Sequence, residues 1–73
     1  MTFTKTYNAE PNTKQKASMT RAFKMLTQGF LAQGSNVEVT VSAFENKIIS
    51  SLIVDGKIFE SRIIGENGGL TVV

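Results

Sequence analysis

The sequence predicts an α+β fold, a two-layer sandwich in which one helix packs on a mainly antiparallel sheet. Three observations carry that reading. Asn36 to Ile64 reads as three antiparallel strands joined by two tight turns, the segment from Asn12 to Gly34 holds one amphipathic helical stripe, and Thr2 to Asn8 alternates as a strand does. The element order is β-α-β-β-β, with the C-terminal segment able to add a short final strand.

The first run sets Phe3, Lys5 and Tyr7 on one side and Thr2, Thr4 and Thr6 on the other, in residues that suit a pleated surface. Its expected place is an edge of the sheet, with Phe3 and Tyr7 reaching the core and Lys5 discouraging further strand pairing. Which edge is left open. Asn8-Ala-Glu-Pro-Asn-Thr then turns the chain, and Asn12 with Gln15 forms the reciprocal pair of a capping box. A helix starting near Thr13 carries Met19, Ala22, Phe23, Leu26 and Phe30 at spacings of three and four, one apolar stripe. It is expected to end near Gln33, with Gly34 as a left-handed cap.

Asp55-Gly56 between two alternating apolar runs is the strongest short hairpin signal, a type I′ turn. It pairs Val54 with Lys57, which places Leu52 opposite Phe59, Ser50 opposite Ser61 and Ile48 opposite Ile63 on one face. On the other face it sets Ile53 against Ile58, Ser51 against Glu60 and Ile49 against Arg62. The Glu45-Asn46 turn pairs Phe44 with Lys47 and lays Val37, Val39, Val41 and Ala43 beside Val54, Leu52, Ser50 and Ile48. Both turns therefore agree on one apolar face, and a slip by one residue would invert every side chain. After Ile64, Gly-Glu-Asn-Gly-Gly is a turn rich in residues suited to positive φ. Leu70-Thr-Val-Val follows as a short edge strand, a flexible tail or an arm for another copy of the chain.

With 73 residues the chain has the size of one small domain, 1–73, where a single core barely offsets chain entropy. No cysteine and no histidine are present, which removes disulfides, thiolate or imidazole metal sites and histidine acid–base chemistry. No apolar run has the length of a membrane span, and the N-terminal residues carry no apolar signal segment, so a soluble, cytoplasmic protein is the expectation. Net charge is +2, but residues 1–24 hold Lys5, Lys14, Lys16, Arg21 and Lys24 against Glu10 alone, whereas acids outnumber bases in the sheet half.

The outward face of the meander is the surface that draws notice. On the register above it carries Phe44, Ile49, Ile53, Ile58, Glu60, Arg62 and Ile64, unusually apolar for a solvent-facing sheet, and such a patch marks an interface. Glu60 and Arg62 stand two apart there and make at most a weak surface ion pair. No catalytic constellation appears. Serines lack a nucleophile-elbow setting, Gly65-Glu-Asn-Gly-Gly lacks the lysine and helix of a phosphate loop, and Glu38, Glu45 and Glu66 are too scattered to hold a cation. No cofactor is implied.

The expectation is a non-enzymatic binding module that docks through the outer sheet face, onto a second copy or another protein. It would act as an inhibitor or accessory factor of the type viruses and mobile elements encode. The alternative is a small nucleic-acid binder that uses Lys14, Arg21, Lys24 and Gln28 on one helix flank, most credibly as a dimer, since so few cations give modest, salt-sensitive affinity.

Overall fold

The structure is a computed structural model that describes residues 2–72. The elements are β1 (Phe3–Tyr7), α1 (Thr13–Ala32), β2 (Val37–Phe44), β3 (Lys47–Val54), β4 (Lys57–Ile64) and β5 (Leu70–Val72). All five strands form one sheet in the order β1-β2-β3-β4-β5. β1 runs parallel to β2 and the remaining pairs are antiparallel. The expected α+β sandwich is thus present, with its final short strand on β4; Val73, the last residue of that expected strand, lies outside the described residues. No described helix is long and apolar enough to cross a membrane.

α1 begins where its capping box sets it. The Asn12 side chain accepts from the Gln15 N–H at 2.8 Å, and the Gln15 side chain accepts from the Asn12 N–H at 2.9 Å. Its C-cap is Gln33, followed by Gly34 at φ 88°, a conformation glycine adopts without a Cβ penalty. The helix lies over β2 and β3. Met19 and Phe23 are buried with Val37, Val39, Val41, Ile48, Leu52 and Ile64, and Ala22, Leu26 and Phe30 pack around that core.

Polar side chains near the helix N-terminus fasten it to the C-terminal strands. Asn12 Nδ2 donates to the Glu66 carbonyl, Gln15 Nε2 to the Ile64 carbonyl and Ser18 Oγ to the Gly68 carbonyl, at 3.0, 3.3 and 2.6 Å. These bonds explain why Gln15 and Ser18 are buried. At the opposite end, the Asp55 carboxylate accepts from the Asn36 N–H at 2.9 Å, and Asn36 Oδ1 accepts from the Thr2 N–H at 3.1 Å. The second turn of the meander thereby also anchors the start of β1.

The β2–β3 register is the expected one through all eight pairs, Val37↔Val54 to Phe44↔Lys47. The β3–β4 register is not. It follows expectation at Val54↔Lys57 and Ile53↔Ile58, then shifts, so that Leu52 faces Glu60 and Phe59 is the extra residue of a bulge. Every later residue of β4 changes face. Ile48 pairs with Ile64, Ile49 with Ile63, Ser50 with Arg62 and Ser51 with Ser61. Five placements are therefore corrected: Glu60, Arg62 and Ile64 lie on the helix side, and Ile63 and Ser61 take the outer positions. The bulge sets the Phe59 ring edge-on against Phe30 of α1, 4.9 Å between centroids. It also brings Ile64 into the core, where it is fully buried.

Gly68 is the tightest contact between the β4–β5 turn and α1. A Cβ there would meet Ser18 Oγ at 2.9 Å and the Lys14 carbonyl oxygen at 3.2 Å, and φ is +89°. Gly34 has nearly the same φ with open space around it. Gly34→Ala should accordingly cost about 1 kcal/mol from backbone strain alone. Gly68→Ala should cost about 2–3 kcal/mol, because overpacking adds to that strain. Urea unfolding midpoints of the two variants measure the difference.

Candidate functional site

The side of the sheet turned away from α1 has no covering layer among the described residues, and the observed register sorts its side chains into rows. Thr4, Glu38, Ile53 and Ile58 make the first; Thr6, Thr40, Ser51 and Ser61 the second; Ser42, Ile49, Ile63 and Thr71 the third. Phe44 and Lys47 close the far end. Two isoleucine-bearing rows thus flank a row made of hydroxyls. Ile58 is 67% exposed and Phe44 44%, while Ile49, Ile53 and Ile63 are half-covered by their neighbours.

Four polar groups of this face are paired with one another, whereas Thr4, Thr40, Ser42 and Thr71 make no side-chain hydrogen bond among the described residues. Thr6 Oγ1 donates to the Glu38 carboxylate at 2.8 Å, and the Ser51 and Ser61 hydroxyls lie 2.8 Å apart in a mutual hydrogen bond. Covering a polar group costs free energy only where its hydrogen bonds are lost. Glu38 and Lys47 are the only charged members of the four rows, at opposite ends of the face. Of the residues expected here, Phe44, Ile49, Ile53 and Ile58 are present.

Glu60 and Arg62 instead form an ion pair on the helix side, Arg62 Nη2 to Glu60 Oε1 at 3.0 Å, with both side chains about three-quarters covered. The pair sits beside the core: Arg62 is opposite Ser50, which is fully buried. Ser50 Oγ, Glu60 Oε2 and Arg62 Nε have no hydrogen-bond partner among the described residues. This is a structural pair at the margin of the core. It does not form part of the outer surface.

The basic residues of α1 are exposed but do not act as one flank. The Arg21 guanidinium donates to Ser18 Oγ at 3.3 Å, towards the β5 side, and Lys14 stands against Gly68. Lys24 and Gln28 turn the other way, with Lys16, onto a groove between α1 and β1. Lys16 is itself paired with Glu10 at 3.2 Å. That groove, about 590 Å³ in volume, is what sequence reasoning missed. Phe3 and Tyr7 were expected in the core, yet they are 43% and 38% exposed and form its strand-side wall. The signal was available in principle: one helix is narrower than five strands, so an edge strand's inward side chains remain half-open. Among the described residues no group of three metal-ligating side chains comes together.

Comparison with known proteins returns no match to a family model, to a curated protein or to a solved structure.

The orphaned Ser50 hydroxyl yields a direct expectation. Ser50→Ala removes a buried oxygen that has no partner, and should raise stability by about 1 kcal/mol in urea unfolding. A fall of similar size would instead show that the hydroxyl is bonded to the Arg62 guanidinium.

Proposed function

We propose that the protein is a non-enzymatic docking module whose outer sheet face joins a second copy of the same chain. The observation that carries this is the composition of the face: isoleucine on either side of a hydroxyl row in which Thr6, Ser51 and Ser61 make hydrogen bonds within the chain. Covering the isoleucines removes apolar surface from water, the principal driving force of association, while the bonded hydroxyls of the middle row keep their partners.

Size and charge favour a second copy as the occupant. Strands about 4.8 Å apart and up to eight residues long give a face on the order of 500 Å² in plane, the scale of one side of a standard interface, about 800 Å² of accessible surface per partner. A two-fold axis running across the strands superposes the Glu38 end of one copy on the Phe44–Lys47 end of the other. Each lone acid then comes within side-chain reach of the opposite lone base. Isologous contacts of this type close at two copies, giving a pair of sheets packed face to face.

Such a dimer leaves both helices on its outer surfaces, facing opposite ways. The two sets of helix cations then cannot combine on one nucleic-acid backbone, so this arrangement gives the nucleic-acid alternative no added charge. An assembly of this type acts by occupying surface, as an inhibitor or accessory factor does.

Light scattering across a concentration series should give twice the chain mass, and the dimer should persist at high salt because its contacts are mainly apolar. Ile53→Glu, on the middle strand in the isoleucine row that holds Glu38, should yield a monomer with an unchanged far-ultraviolet circular dichroism spectrum. A wild-type protein that stays monomeric at millimolar concentration would overturn the homodimer. Unfolding of Ile53→Glu would place that residue in the core.

A further inference from the structure

The edge of the sheet at β1 offers a second and different kind of surface. β1 has β2 on one side and, among the described residues, no strand on the other. Its hydrogen bonds to β2 run from the Val37 N–H to the Thr2 carbonyl and from the Asn8 N–H to the Val41 carbonyl, both 2.8 Å. In a parallel ladder this pattern turns the backbone of Thr2, Thr4, Thr6 and Asn8 towards β2. The N–H and C=O groups of Phe3, Lys5 and Tyr7 therefore point out of the sheet, a row of unsatisfied pairing groups.

The same three residues turn their side chains to the groove under α1. Its floor is apolar, built from Met19, Phe23, Leu31 and Val39, with Phe3 and Tyr7 as the strand wall. Lys5, Lys16 and Lys24 border it, and among the described residues no acidic one lines it. Lys16 is committed to Glu10, whereas Lys5 and Lys24 form no ion pair among the described residues; Lys5 rests near the Phe3 ring, 5.8 Å from its centroid. Along the edge the groove-side order is thus aromatic, cation, aromatic.

We infer that β1 is a strand-addition site for an extended peptide that places apolar, acidic and apolar side chains at alternate positions. Backbone pairing with Phe3, Lys5 and Tyr7 supplies affinity, and side chains on the groove side supply selection, the division of labour usual in strand addition. The acidic residue sits opposite Lys5 within reach of Lys24, and the apolar residues extend the walls made by Phe3 and Tyr7 over the floor. A second copy is a poor occupant. Two-fold pairing of β1 with itself centred on Lys5 would set lysine against lysine, and like charges directly opposite destabilise a strand pair. The site lies on a different surface from the proposed dimer face and does not depend on it.

The test uses the intact chain and a blocked synthetic peptide, Thr-Leu-Thr-Glu-Thr-Leu-Thr, with a control in which lysine replaces glutamate. Calorimetric titration should show the glutamate peptide binding at least tenfold more tightly than the lysine one, and binding should slow hydrogen exchange at the Phe3, Lys5 and Tyr7 amides. Lys5→Gln should weaken binding several-fold by removing the charge. Lys5→Pro should weaken it at least tenfold further, because proline also removes an outward N–H while edge strands tolerate it. If Lys5→Pro fails to fold, the exchange measurement on the wild-type chain decides. Absence of binding by the glutamate peptide, equal binding of both peptides, or binding without slowed exchange at those amides would each overturn the inference. So would a folded Lys5→Pro variant that binds like Lys5→Gln.

Discussion

One helix has to cover a sheet wider than itself. Five strands span on the order of 20 Å in the pairing direction, whereas a helix with its side chains is about 10–12 Å across. α1 therefore buries β2 and β3 and leaves both margins of its own side of the sheet to other solutions. Each margin solves the problem differently. At β4 and β5 the chain fills the space itself, with Phe59 against Phe30, the Glu60–Arg62 pair, and the turn whose Gly68 accepts from Ser18. At β1 none of the described residues fills it, and a groove results.

The bulge at Phe59 is where these demands meet. Without it, Phe59, Ser61 and Ile63 would face the helix and Arg62 and Glu60 would face away. With it, Phe59 still faces Phe30, Ile64 replaces Ile63 in the core, and an ion pair about three-quarters covered lies on the helix side. The cost is visible in the orphaned Ser50 hydroxyl and in two ion-pair atoms without partners. Burying charge beside a core adds little net stability, so the advantage lies elsewhere. It clears both charges from the centre of the opposite face, leaving a Ser51–Ser61 hydroxyl pair between rows of isoleucine.

That same bulge marks the limit of what could be read in the chain. The turns at Asp55-Gly56 and Glu45-Asn46, the capping box and the whole β2–β3 register follow from local chemistry, because each is set within a few residues. The β3–β4 register beyond the first two pairs is not legible, because the composition is degenerate under a slip of one. Ile48-Ile49 and Ser50-Ser51 lie opposite Ser61 and Ile63-Ile64, so either parity offers an isoleucine pair and a serine pair. Local composition does not choose between them; the observed parity puts Ile64 in the core and the Glu60–Arg62 pair on the helix side, an outcome of packing between elements far apart in sequence. For the same reason four of the seven residues expected on the outer face are there, while Glu60, Arg62 and Ile64 are not. The groove at β1 was hidden by a similar omission: alternation shows that Phe3 and Tyr7 share a side, but only the helix's position shows how far they are covered.

The two open surfaces differ in the chemistry they leave unsatisfied, and that difference decides what each can hold. On the outer face the backbone of the central strands is paired within the sheet and Thr6, Ser51 and Ser61 are hydrogen-bonded within the chain, so side-chain apolar area is the main thing left to gain; a second sheet, rigid and similarly flat, is the matching partner. At the β1 edge the apolar walls are small, but backbone donors and acceptors are unused, so only something with its own extended backbone can satisfy them. Lys5 then serves two purposes at once. Its charge stops the edge from pairing with its own copy, the usual role of an edge lysine, and it leaves the edge open to a strand of opposite charge. A single residue that repels one kind of strand and attracts another converts an aggregation hazard into a selective site, and the face behind it can be occupied at the same time because the two surfaces share no backbone group.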